Sequence, residues 1–267
     1  VCTLRGGGPL PLVGDAPSFV TFIVCVTFFV PSWRVHRALV LLAAREVGLP
    51  RGLLGGLLRG VVEPDEVPDK VLVSGRRRSY FRRVSHHGQL HRELVEYYYN
   101  LACFYRARGD LYNAGRALGR AAHYLQDAAV KTRKWLIFDV HDEVEAEMGR
   151  LVGSLPHVCS RPAGDAAVSL CRAYADTVQL FRRFASEPVV DRATGRRLLR
   201  RGRLKKWSTA AVFASVLVTS VFMKFTWGLL VSAVGLYLAL RWTPREYVAA
   251  MRAGVHKVEP PGYETAM

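Results

Sequence analysis

Residues 119–147 read GRAAHYLQDAAVKTRKWLIFDVHDEVEAE and hold the same pair twice, His123 with Asp127 and His141 with Glu145. Within each pair the imidazole and the carboxylate are four positions apart, and the two histidines are 18 apart. Residues four apart on an α-helix stand one turn above each other, so each pair can aim a nitrogen and an oxygen at a single point. Zinc accepts that donor set. A single such pair is an ordinary contact on an exposed helix face. Its repetition directs attention to the other donors in the chain, which run His36, Asp65, His86 (with His87 beside it), His123 and Asp127, then His141 and Glu145.

These donors need a scaffold, and the hydrophobic periodicity supplies a helical one. From Val35 to about Gly60 the pattern is helical, with Gly48-Leu49-Pro50 marking a helix end. EPDEVPDK (63–70) reads as a loop from its two prolines, and GRRRSYFRRVSHHG (75–88) is basic and aromatic. Segments 89–108 and 110–132 read as long helices parted by Arg108-Gly109-Asp110, where Asp110 is an N-cap. HDEVEAEMGRLVGSL (141–155) continues helically, and 163–187 makes a further helix beginning near Asp165. Almost nothing alternates with period two. The expected fold is therefore all-α, a multi-helix bundle over 33–190.

Both ends of the chain differ from this middle. Residues 1–15 are rich in Gly and Pro, and 16–33 contain an apolar run of about 15 residues, short of the roughly 20 a membrane span needs. Segment 1–32 is left open between a signal-like segment, an anchor, an interfacial segment and a buried first helix. Segment 191–206 reads as a basic linker and places seven cations in RRLLRRGRLKK (196–206). Two apolar stretches follow, 207–223 and 225–240, parted by Lys224 and closed by Arg241-Trp242. With Trp207 and Trp242 at the outer ends, 207–242 is expected to be a transmembrane helical hairpin anchoring the chain in the cell membrane, followed by a tail over 243–267. The positive-inside rule places Lys206 and Arg241 in the cytoplasm, whereas an exporting N-terminal signal would place the helical domain outside. The side that the domain faces stays open.

The bulk composition bounds the partners. Half of the 267 residues are hydrophobic, enough for a sizeable core, and 38 Lys+Arg against 22 Asp+Glu give a net charge of +16. Such a balance favours anionic surfaces, either phospholipid headgroups or nucleic acid. The five cysteines are scattered without a C-x-x-C pair, so each reads as a free structural thiol and the redox compartment is undetermined.

The segment YYYNLACFYRARGDLYNAGRALGRAAHYLQD (97–127), with HDEVE (141–145) after it, resembles the prokaryotic zinc-dependent phospholipase C family. The wider superfamily includes the single-strand-specific zinc nucleases. The resemblance runs from about Trp33 to about Arg150 and is most specific at His123-Tyr-Leu-x-Asp127 and His141-x-x-x-Glu145. It implies an all-α domain with three zinc ions in a cleft that cleaves phosphate esters. Position by position, it implies that His36 binds one zinc of a close pair and that Asp65 binds zinc and acts as general base. It further assigns His86 or its neighbour His87 as a ligand, His123 and bridging Asp127 as a ligand pair, and His141 with Glu145 as the holders of the remaining ion. Two departures stand out. Arg133, in VKTRK, occupies the place of a family histidine six residues after the bridging aspartate, and arginine does not ligate zinc. The implied zinc count becomes one to three, and Arg133 becomes a candidate contact for a substrate phosphate. Trp33 lies near the first histidine, where the family has a tryptophan with a processed amine, but no cleavage site releases it.

The implied activity is membrane-associated phosphodiester hydrolysis by a zinc-activated water, with membrane phospholipid as substrate and anchor surface. Phospholipid is favoured over nucleic acid because a membrane anchor would hold the site near the bilayer plane, and because no aromatic stacking platform stands out. Two rivals remain: a non-catalytic relative serving as a membrane interaction protein, and a zinc nuclease. Headgroup and oligomeric state are not written in the sequence.

Overall fold

The structure, a computed structural model, describes residues 33–74, 79–84, 90–130, 134–135, 138–139, 141–260 and 262–267. Segment 1–32 lies outside them. The described chain is mainly helical, as the periodicity predicts. Helix α1 (Trp33–Val47) buries Val35, His36, Leu39, Val40, Ala43 and Ala44 along one stripe, so His36 faces inward by its phase. The helix stops at Gly48, whose φ of 73° closes the last turn. A 3₁₀ turn (Arg51–Leu53) leads into α2 (Leu54–Gly60) and then α3 (Glu63–Glu66). The segment expected as a loop from its prolines thus contains a helical turn. Pro64 sits in the first turn of α3, where a missing N–H costs nothing.

Strands β1 (Lys70–Ser74) and β2 (Ser79–Arg83) pair antiparallel, so the basic aromatic stretch is partly a strand. Helices α4 (Arg92–Ala107) and α5 (Leu111–Ala129) follow, and the Asp110 side chain accepts from Asn113 N at 3.0 Å as the N-cap of α5. The short strands β3 (Lys134–Trp135) and β4 (Phe138–Asp139) precede α6 (His141–Leu151), α7 (Leu155–Ser160) and α8 (Gly164–Ser186). Next come α9 (Arg192–Phe222), α10 (Thr226–Arg241), α11 (Arg245–Arg252) and β5 (Tyr263–Glu264). Strand β5 pairs with the free edge of β1, giving the order β2-β1-β5. Helix α11 and strand β5 therefore fold back on the helical domain, with α11 packed against α4.

Helix α5 is central, packing against α2, α4 and α8. The core includes Tyr98, Tyr99, Leu101, Leu118 and Phe181. The tyrosine run 97–99 is thus part of the packing. One crossing is unusually close. Gly56 and Gly60 of α2 face the backbone of Tyr112 and Arg116, while Gly115 and Gly119 of α5 face that of Leu53 and Leu57. A Cβ at any of the four would overlap a backbone oxygen. The sequence carries the signal as two G-x-x-x-G patterns, 56–60 and 115–119.

Below this crossing lies a buried charge network. Arg120, fully buried, donates to Glu63 Oε2 at 3.2 Å and the Val67 carbonyl at 3.2 Å, and pairs with Asp69 Oδ2 at 3.1 Å. Asp69 also accepts from Tyr98 at 2.6 Å, Tyr124 at 2.5 Å and Ala266 N at 2.8 Å. Burial and the Asp69 carboxylate push both phenols far up, so they remain donors. The network pins residues 61–69 to α5.

Two expectations need correction. Cys159 and Cys171 form a disulfide joining α7 to α8, while Cys103 is a buried free thiol. Their spacing of 12 is uninformative alone, and the approach arises because α7 turns back onto α8. The second concerns 191–242. The basic segment is not a linker but the first half of the 31-residue α9, capped by Asp191, which accepts from Thr194 N at 2.9 Å. Helices α9 and α10 do pair as a hairpin, turning at Lys224. However, no helix among the described residues is long and apolar enough to cross a membrane, so the transmembrane assignment is unsupported. Lysines 205 and 206 cut the apolar part of α9 short, and α10 has only 16 residues.

Candidate metal centre

Helices α1 and α5 bring His36, His123 and Asp127 together, all three buried, with donor atoms within 4.8 Å of one another. His36 Nε2 lies 3.3 Å from Asp127 Oδ1, and His123 Nε2 lies 3.1 Å from Asp127 Oδ2. Donors at about 2.0–2.1 Å around a tetrahedral zinc stand about 3.3 Å apart, a separation that the two histidine–carboxylate contacts match, each to a different oxygen of Asp127. Asp65 approaches from α3, its Oδ1 3.6 Å from His123 Nε2 and its side chain 37% exposed. Arg83 Nη2 donates to the Asp65 carbonyl at 2.8 Å and steadies that turn.

The hydrogen bonds fix which nitrogen of each histidine points at the cluster. Thr177 donates its single hydroxyl hydrogen to the Ala173 carbonyl at 2.7 Å, so its oxygen must accept from Gln126 Nε2 at 3.1 Å. Gln126 therefore turns Oε1 toward His36 Nδ1, 2.7 Å away, and that nitrogen carries the proton. His123 Nδ1 likewise donates to the Val61 carbonyl at 2.9 Å, at the end of the glycine crossing. In neutral histidines both Nε2 atoms are then acceptors, and both converge on a carboxylate that also only accepts. A positive charge between them would reconcile the three.

A proton or a metal can supply that charge. Burial pulls the His36 imidazole below its ordinary range, more than Asp127 restores. Burial acts the same way on His123, but the Asp127 carboxylate, its hydrogen bond and Asp65 outweigh it and raise His123 to about 9. The metal-free pocket thus favours one proton between His123 and Asp127 while His36 stays neutral. The two imidazoles are only 4.8 Å apart between ring centroids, which disfavours charging both. A divalent cation satisfies both nitrogens at once. His36, His123 and Asp127 could hold a metal ion.

The remaining expected site residues divide as follows. His86, His87 and Arg133 lie outside the described residues. His141 opens α6, but its side chain and that of Glu145 also lie outside them. Helix α6 packs against α1, and Met148 joins His36 and Gln126 around a small cavity. Sequence reasoning missed Gln126, Val61 and the glycine crossing. Gln126 was detectable, because it lies three residues from His123 on the same helix face.

No protein-family model, no curated protein and no solved structure matches the chain.

Proposed function

We propose that this protein is a zinc-dependent phosphodiester hydrolase of the phospholipase C type, acting on membrane phospholipid. The observation that carries this reading is the pair of oriented imidazole nitrogens converging on Asp127, with Asp65 beside them at a more exposed position. A bound zinc would supply Lewis acidity, drawing charge from a phosphate ester and lowering the pKa of a bound water toward about 7. The protein's own residues do the rest. Gln126 and the Val61 carbonyl hold the ligand tautomers, as outer-shell partners do at metal sites. Asp127 spans the two histidines, and Asp65 can accept a proton from water entering from the open side. Water oxygen then bonds to phosphorus, the bond from phosphorus to the glycerol oxygen breaks, and that oxygen takes a proton. The products are diacylglycerol and a phosphorylated headgroup. Phospholipid is preferred to nucleic acid because α9 and α10 expose a large apolar surface beside a basic segment.

The test is zinc-loaded full-length protein in mixed micelles, offered phosphatidylcholine and single-stranded DNA, against a chelated control. Release of diacylglycerol that Asp65→Asn abolishes without loss of zinc supports the proposal. Cleavage of DNA alone makes the protein a nuclease. Absence of any phosphodiester cleavage at saturating zinc leaves a non-catalytic metal protein. Either result overturns the phospholipase reading.

A further inference from the structure

The hairpin of α9 and α10 is built inside out. Its seam holds small residues: Ala210 and Ser220 of α9 and Ser232 and Ala239 of α10 are its buried positions. Gly228 and Gly235 add to it by meeting Ser220 and Phe213 closely. Large apolar side chains point outward instead. Val212, Val216, Val218 and Val221 are all exposed, as are Leu230, Val231, Val234 and Leu238. At 3.6 residues per turn the four α9 positions spread over more than half of that helix's circumference, while the four α10 positions share the face turned away from the seam at Ser232 and Ala239, so the apolar surface lies on the outward side of both helices. A protein partner covers one face of a helix pair, whereas a bilayer covers it all round.

Two further observations point to lipid. The hydroxyls of Thr209, Ser215, Thr219 and Ser232 each bond a carbonyl four residues back on their own helix. They need no water, as a hydrocarbon setting demands. At the root of the hairpin, Arg196, Arg200, Arg201, Arg203, Arg241 and Arg245 are all exposed. The nearby acid Glu246 is paired with Lys205. The root is therefore strongly cationic where the apolar part begins, which complements anionic headgroups. The apolar part of each helix, about 16 residues, is about 24 Å long against a hydrocarbon core of about 30 Å.

We infer that α9 and α10 insert as a hairpin into a bilayer of anionic phospholipid, entering from the side of the helical domain, with the arginine root seated among the headgroups. The inference extends the lipid reading above by naming the surface and the lipid charge. Both ends of the hairpin stay at one face, and the tip at Phe222–Phe225 lies deepest.

The experiment uses the full chain, moved from detergent to vesicles of phosphatidylcholine alone or with phosphatidylglycerol, and read by flotation. Brominated acyl chains report the depth of Trp227, which lies beside the tip and is 70% exposed. The expected result is flotation that survives high salt, quenching of Trp227, and at least about a tenfold preference for the anionic vesicles. Val218→Asp with Val231→Asp should abolish flotation. Arg200→Gln, Arg201→Gln and Arg203→Gln together should remove only the preference. Helical content and bound zinc are measured on the same samples, so failure of the hairpin and failure of the metal reading are separable. Folded protein that stays off both vesicle types, or floats equally with both, overturns the inference. So does single-stranded DNA that binds the arginine root and blocks flotation.

Discussion

At the residue scale, the centre depends on side chains that carry no ligand atom. Gln126 is fixed by Thr177 and in turn fixes His36, so Gln126→Leu, similar in size but unable to accept, should release the His36 ring. The expected outcome is a fall of about 10- to 100-fold in zinc affinity with the helical fold intact, measured by competition with a chelator. Unchanged affinity would show that the amide does not position the ligand. A pH dependence follows from His123. Its pKa is raised to about 9 in the metal-free pocket, so near neutrality it holds a proton that zinc must displace. Zinc affinity should therefore rise by about tenfold per pH unit until about pH 9 and then level off, with close to one proton released per zinc near pH 7 in calorimetry. The same raised pKa means that this group's contribution to metal-free stability is complete below about pH 6.5 and disappears as pH climbs through about 9.

At the element scale, the close crossing of α2 and α5 sets the position of the Val61 carbonyl and, through α3, of Asp65. Glycine is required at Gly119 because a Cβ there would run into the Leu57 carbonyl oxygen. Gly119→Ala should force the helices apart, cost about 1–3 kcal/mol, and weaken zinc binding together with stability. Thermal melts and zinc titrations on the same variant check this. A stable variant with reduced zinc affinity would limit the crossing to local positioning, and a variant unchanged in both would remove its role. Much of this element level is legible in the sequence. The stripe of α1 aims His36 inward, and the four-residue spacing of His123 and Asp127 puts both on the buried face of α5. The loop assigned to 63–70 fails for a physical reason: proline ends a helix that precedes it but is well tolerated in the first turn of one that begins there.

At the scale of the whole molecule, the donors come from segments 29 residues apart at the closest and 91 at the farthest, between His36, Asp65 and Asp127. Their order along the chain is visible in the sequence; their meeting depends on long-range packing, which is not. The Cys159–Cys171 bond and the return of β5 onto β1 escape sequence reasoning for the same reason, since each depends on where a later helix folds back. The Asp69 network was also invisible, because it closes only when Ala266 arrives beside Arg120 and two tyrosines. The apolar 207–242 region was legible as a helical pair, while its continuity with the basic segment was not. All of these features serve one claim: that His36, His123 and Asp127 share a metal ion. Zinc per chain, measured in purified full-length protein and in His123→Ala and Asp127→Asn of equal helical content, tests it most directly. At least one tightly held zinc is expected in the wild type, with its loss in both variants. A zinc-free wild type that is fully folded, or variants that keep the same zinc, would contradict it.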